Sequence, residues 1–225
     1  MIPVVVGSRS PRRLELLKAA LPSARLTVCP PADSDELGFS DVETLTGFEQ
    51  RILEIATAKL DDVIGQCVDP SPELADAIGE EFVVICADTT VIVSDESGRP
   101  VALGQPPETG EWAAVVADWF RRYLAGSTHV VMSAVVVARC RRSNGSRTVR
   151  SRVCSTEVTM RDDIDAWLDW YLSTEESVDK AGGYAIQGAG SVFVTKLDGS
   201  YSNVVGLPLE ETLNCLRELE VLEST

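Results

Sequence analysis

The chain has 225 residues and a mass of 24.3 kDa, with 44% hydrophobic and 24% charged residues, which suits one large domain or two closely joined lobes around a sizeable core. No apolar run approaches the roughly 18–20 residues of a membrane span, and the first apolar segment runs into arginines, the reverse of a secretory signal's charge order. A formal charge of −15 and a pI near 4.5 exclude broad nucleic-acid binding, because the only basic stretches are the N-terminal one and Arg139–Arg152.

In chain order, MIPVVVG predicts a strand, and SRSPRR leads directly into a helix over 11–21. Residues 1–32 hold Arg9, Arg12, Arg13, Lys18 and Arg25 against the single acid Glu15, so this stretch is +4 in an acidic protein. Ser10 is placed to cap the helix, Pro11 fits its first position, and Leu14, Leu17 and Leu21 form the stripe to be buried. Arg12 and Arg13 then fall in the first turn, where the helix dipole disfavours cations unless an anion sits there. The plain alternative is a solvated basic turn. A cationic island at a helix N-terminus is what binding of a polyphosphate requires.

A short strand near 24–29 and a helix over about 42–60 follow. Residues 61–81 are acidic, carry Pro70 and Pro72, and read as a loop or helix extension. FVVICA and TTVIVS predict two strands, with a turn at Gly98-Arg99-Pro100. From 108 to 124 a helical stripe carries Trp112 and Trp119, which read as core. Two long strands predict a hairpin whose turn is Asn144-Gly145 with charged flanks. Ile164, Trp167, Leu168 and Tyr171 mark another helix. A Gly-rich loop, the strand SVFVTKL and a last helix through Leu209, Leu213, Leu216 and Leu219 complete the chain. The class is α/β with a mixed sheet flanked by helices. The six cysteines form no C-x-x-C pair and read as thiols in a reducing compartment, so a cytoplasmic location is expected.

Four places carry candidate chemistry. Asp88 interrupts a strongly apolar run, where an unpaired carboxylate is costly unless it meets a cleft, a cation or a base; capping a turn is the alternative. Lys59 lies seven residues after Ile52, near the apolar face of its helix, so it either snorkels to solvent or points into a site. The acidic stretch ADSDE ends in Glu36, and clustered carboxylates suit either a magnesium ion shared with phosphates or a plain surface loop. DKAGGYAIQG supplies Lys180, paired glycines and Gln187 in what is either a turn or a loop that approaches a ligand closely. His129, the only histidine, reads as structural because no serine or cysteine motif accompanies it.

These motifs, in this order, resemble those of the Maf (septum-formation-inhibitor-like) nucleoside triphosphate pyrophosphatases. The resemblance runs through Ser8-x-Ser10-Pro11-Arg12-Arg13, the D-x-D-E-like segment, Arg51, Ala56 and Lys59, Ala87-Asp88-Thr89, and Asp179 to Gly188. It continues through Asp198-Gly199-Ser200-Tyr201 and Val205-Gly206-Leu207-Pro208, covering nearly the whole chain. It implies an inosine-triphosphatase-like fold, one domain over 1–225 with two lobes around a central cleft. It also implies a nucleotide diphosphatase with Asp88 as proton acceptor and with Ser8, Ser10, Arg12, Arg13, Lys59, Thr89, Lys180 and Gln187 at the substrate. A divalent ion, Mg²⁺ or Mn²⁺, would be held by Glu36 and Asp88. Arg12, Thr89 and Gln187 match the branch acting on dTTP, UTP and modified pyrimidine nucleotides, whereas the 7-methyl-GTP branch differs there. One departure stands out: the family's G-K-P is Gly104-Gln105-Pro106 here, so a phosphate-neutralising lysine is replaced by a neutral amide.

The expected partner is therefore a nucleoside triphosphate, with neither nucleic acid nor membrane, and a homodimer is left open. A non-catalytic nucleotide-binding regulator of cell division and a purine or 7-methyl-GTP pyrophosphatase are the competing readings.

Overall fold

The computed structural model describes residues 2–32 and 37–222, and the acidic segment with Glu36 lies outside them. The strands are β1 (Val4–Val6), β2 (Leu26–Val28), β3 (Glu81–Ser94), β4 (Pro100–Leu103), β5 (Thr128–Arg141), β6 (Ser146–Met160) and β7 (Val194–Asp198). The helices are α1 (Pro11–Ala20), α2 (Leu45–Val68), α3 (Pro72–Ile78), α4 (Trp112–Trp119), α5 (Asp165–Ser173), α6 (Tyr201–Val205) and α7 (Leu209–Glu218). The strands form one mixed sheet in the order β2-β1-β3-β5-β6-β7, with β4 pairing β3 off this path. β1 runs parallel to β2 and β3, and every other pairing is antiparallel.

β3 is apolar at every position from Phe82 to Ala87 because both of its faces are covered there. Phe82, Val84 and Cys86 pack with Phe48, Ile52, Ala56, Leu60 and Val63 of α2. Val83, Ile85 and Ala87 pack on the other face with Leu17 of α1 and Cys215 and Leu216 of α7. A third cluster joins Val91 and Val93 to Val116, Phe120, Leu168, Tyr171, Tyr184 and Phe193. Among the described residues no helix is long and apolar enough to cross a membrane.

Several expectations change in detail. The two strands expected on either side of Asp88 are one, because the ladder to β5 runs unbroken through Asp88↔Ala134 and Thr89↔Ser133. The second helix runs on to Val68, and residues 72–78 form a further helix capped by Ser71, whose hydroxyl accepts from Leu74 N–H. The helix with the two tryptophans widens into a π-turn at Phe120–Leu124, where Ala125 N–H donates to Phe120 O. Trp167 stays 41% exposed while Ile164, Leu168 and Tyr171 are buried; it sits at the border of their stripe, edge-on to Trp170. The hairpin forms as expected: β5 and β6 pair over their whole length, and Asn144 Oδ1 accepts from Ser146 N–H in the turn. All six cysteines are free, five of them buried and Cys154 half-buried.

His129 is structural, as its isolation suggested. It is buried on β5 with Nε2 2.7 Å from the Tyr184 hydroxyl. Burial pushes its pKa down to about 4.

Candidate active site

The site begins with a change of partner along one edge of β3. Val83–Ile85 pair with β1, and Val91–Ser94 pair with β4 coming from the opposite direction. Among the described residues nothing pairs with positions 86–90 on that edge, while the edge facing β5 stays bonded. β1 ends at Val6, and the chain leaves through Gly7–Ser10 into α1. The sheet therefore opens at Asp88, in the way α/β proteins form a crevice where strand connections diverge. The opening is a cleft of about 840 Å³.

Nine of the ten candidate residues lie within the described structure, and all nine line this cleft: Ser8, Ser10, Arg12, Arg13, Lys59, Asp88, Thr89, Lys180 and Gln187. Glu36 lies outside the described residues. Period-two alternation sends Asp88 to the α2 side of β3 and Thr89 to the α1 side. Asp88 is 8% exposed, and Lys59 Nζ of α2 reaches its Oδ1 at 2.6 Å. Lys59 therefore does not snorkel to solvent but turns to Asp88 in the lining of the cleft.

The adjacent arginines divide their roles. Arg13 donates from Nε to Gly206 O at 2.7 Å, from one terminal nitrogen to Ala87 O at 2.8 Å, and from the other to Thr89 Oγ1 at 3.1 Å. It fastens α1, β3 and the turn after α6 to one another. Arg13 thus lines the cleft and shapes its wall through bonds to protein oxygens. The Thr89 hydroxyl, which accepts from Arg13, also has Ser133 Oγ and Gly206 O within reach. What Thr89 offers the cleft is shape and position. Arg12 differs: its buried Nε has no hydrogen-bond partner among the described residues. Burial lowers its pKa from the ordinary value, opposed by the nearby charges of Asp179 and Glu176. An anion in the cleft would compensate that desolvated guanidinium.

Ser10 occupies the cap position of α1, but its side chain makes no capping bond. Its own N–H instead donates to Ser8 Oγ at 3.1 Å, so the hydroxyl that orders this turn belongs to Ser8. The first turn of α1 is left open toward the cleft, where its unsatisfied N–H groups and positive dipole end suit an anion. On the opposite wall, Lys180 Nζ donates to Val178 O and pairs with Asp179. Gln187 lines the cleft and is exposed to it. Gln105, at the position of the missing lysine, donates to Asp179 O at 3.2 Å and so ties its loop to the segment carrying Lys180.

Sequence reasoning missed three contributors. Gly206 supplies a carbonyl that has both Arg13 and Thr89 as donors. Glu108 and Tyr184 also line the cleft. The V-G-L-P motif was a signal for the first of these, although it does not reveal that the glycine acts through its carbonyl. Arg51, part of the matched helix motif, stands apart from the cleft and binds Asp41 and Glu54 at the start of α2.

The profile of the family described as Maf-like protein matches residues 3–219. A dTTP/UTP pyrophosphatase of Anaeromyxobacter dehalogenans strain 2CP-1 is 37% identical over 216 residues, covering 95% of this chain and 92% of that protein. The protein of the same name from Alcanivorax borkumensis is 36% identical over 217 residues, covering 96% and 95%. Among solved structures, a HAM1 protein from Coxiella burnetii aligns over 72% of this chain and 75% of its own, with TM-score 0.39 and 11% identity. The chain belongs to the Maf-like protein family.

Proposed function

We propose that this protein is a nucleoside triphosphate pyrophosphatase that hydrolyses dTTP and UTP to the monophosphate and pyrophosphate. The observation that carries the reading is the carboxylate at the opening of the sheet, paired with Lys59 and facing Arg12, Lys180 and the uncapped start of α1. The name and near-full coverage of the relatives support the substrate class.

Hydrolysis requires neutralised phosphate charge, an oriented water and a base. Arg12 and the N–H groups of the first turn of α1 bind phosphate oxygens, with Lys180 across the cleft. Water attacks the α-phosphorus in line: its oxygen forms the new O–P bond, the bridging oxygen leaves with pyrophosphate, and the water's proton passes to Asp88. Lys59 pairs with the Asp88 carboxylate beside the cleft and stands ready to shift toward a phosphate oxygen once substrate arrives.

Among the described residues no three His, Cys, Asp or Glu side chains group to hold a metal by themselves. Asp88 is nevertheless a hard oxygen donor of the kind that holds Mg²⁺ or Mn²⁺ together with substrate phosphates, and Glu36 would be the second carboxylate. When bound, such an ion supplies charge neutralisation at the phosphates. Gln187 reads the base: its side-chain carbonyl and NH₂ complement the N3–H and O4 edge shared by uracil and thymine.

Asp88→Asn tests the chemistry. The amide fills the same volume without accepting the proton, so pyrophosphate release should fall by roughly 10²–10⁴-fold with the melting temperature nearly unchanged. Near-normal turnover would remove Asp88 from the role of base.

A further inference from the structure

The base-reading loop is held from behind by a carboxylate that does not itself line the cleft. Glu176, in the turn after α5, accepts from Ala189 N–H at 2.8 Å with Oε1 and from Gly190 N–H at 2.7 Å with Oε2. These are the first N–H groups of the turn Ala189–Phe193, two and three residues beyond Gln187. Gly188 shows how tight the approach is: a Cβ there would lie 1.6 Å from Glu176 Oε1 and 2.6 Å from its Cδ. A side chain at 188 would push the carboxylate out of its present place.

The loop 185–190 thus hangs between two fixed points. On the upstream side Tyr184 is buried against His129. On the downstream side the backbone is gripped by Glu176 and then enters the core at Phe193. Gln187 lies at the crest between them, facing the cleft. Glu176 stands three and four residues before Asp179 and Lys180, so one side chain couples the two segments of this wall. A carboxylate with both oxygens occupied by backbone N–H groups makes strong, directional bonds that set loop geometry.

We infer that Glu176 is a positioning residue for base selectivity: it fixes the Ala189–Gly190 backbone and thereby the place in the cleft from which Gln187 meets the base. The inference rests on the proposed reading of Gln187 as the group that meets the base. A loose loop still allows triphosphate binding through Arg12 and Lys180, so the loss should appear in base discrimination and KM ahead of kcat.

The experiment compares kcat and KM for dTTP and dGTP in wild type, Glu176→Gln, Gln187→Ala and the double variant. In Glu176→Gln one acceptor oxygen becomes an NH₂ that confronts a backbone N–H. We expect KM for dTTP to rise roughly tenfold, kcat to stay within about threefold, and the dTTP:dGTP preference to fall about tenfold. On the Gln187→Ala background the same change should cost no further selectivity. Gly188→Ala, which pushes on the carboxylate from the loop side, should give the same signature and serves if Glu176→Gln does not fold. A lowered melting temperature with dTTP selectivity intact in either variant overturns the positioning role. Selectivity unchanged in Gln187→Ala itself overturns the reading of Gln187, and the inference falls with it. Selectivity lost in Gln187→Ala but kept in Glu176→Gln overturns the role of Glu176 alone.

Discussion

Asp88 and Lys59 are 29 residues apart in the chain and 2.6 Å apart in space. Each looked anomalous for the same reason, a charge on an apolar surface, and each resolves the other's anomaly. Arg12 and Arg13 show the opposite case, since two identical neighbours in one motif have separate tasks. The separation predicts a split between kinetics and stability. Arg13→Ala loses hydrogen bonds to Gly206, Ala87 and Thr89 and should cost about 3 kcal/mol of stability. Arg12→Ala removes a desolvated charge and should leave stability nearly unchanged while kcat/KM for the triphosphate falls at least about tenfold. Thermal melts and steady-state kinetics on both variants check this. Equal loss of stability in the two would contradict the division. The sequence could mark both arginines as out of place in a first helical turn, but which one stays available depends on where Gly206 and Thr89 lie, more than 70 residues away.

At the scale of elements, strand β3 carries most of what positions the site. Its apolar run was legible as buried strand, and Asp88 as an interruption. The break was misread as a boundary between two strands, because one-dimensional periodicity cannot show that one edge of a strand stays bonded while the other is released. The helices were legible where their stripes were clean, as in α1 and α7. Trp167 sat at the margin of its stripe, and the position of Ser10 before Pro11 suggested a side-chain cap that the structure does not form: Ser8 orders the turn by accepting from Ser10 N–H, and the first turn of α1 stays uncapped. Next to β3, β5 makes a prediction about pH through His129. Its pKa is about 4 when folded and near 6.5 when unfolded. Between those values the unfolded chain binds more protons, so stability falls as the pH drops through that window, and above it His129 contributes no slope. This residue alone should remove about 2 kcal/mol of stability between pH 7.5 and 5. Urea denaturation at the two pH values should therefore show a smaller difference for His129→Gln than for wild type. Identical differences would mean that His129 titrates normally in the fold.

Over the whole molecule, an acidic chain of −15 places a cationic helix start, Lys59 and Lys180 around a single opening in its sheet. That contrast steers a polyanion to the cleft and away from the rest of the surface. The grouping of N-terminal, central and C-terminal motifs in one cleft was legible only through resemblance to a family, since nothing in local pattern brings residue 12 to residue 187. Arg51 marks the limit of that route, because a residue can match a motif and still serve a loop. The proposed activity is hydrolysis of pyrimidine triphosphates in this cleft, between the α and β phosphorus atoms. Its most direct test is pyrophosphate release by the purified protein across dTTP, UTP, 5-substituted pyrimidine analogues, dCTP, ATP, GTP and 7-methyl-GTP, with Mg²⁺ and with Mn²⁺. Pyrophosphate and monophosphate are the expected products, with dTTP and UTP leading in kcat/KM. No pyrophosphate from any nucleotide would contradict the enzyme itself, and a tenfold lead for a purine triphosphate would contradict the role given to Gln187.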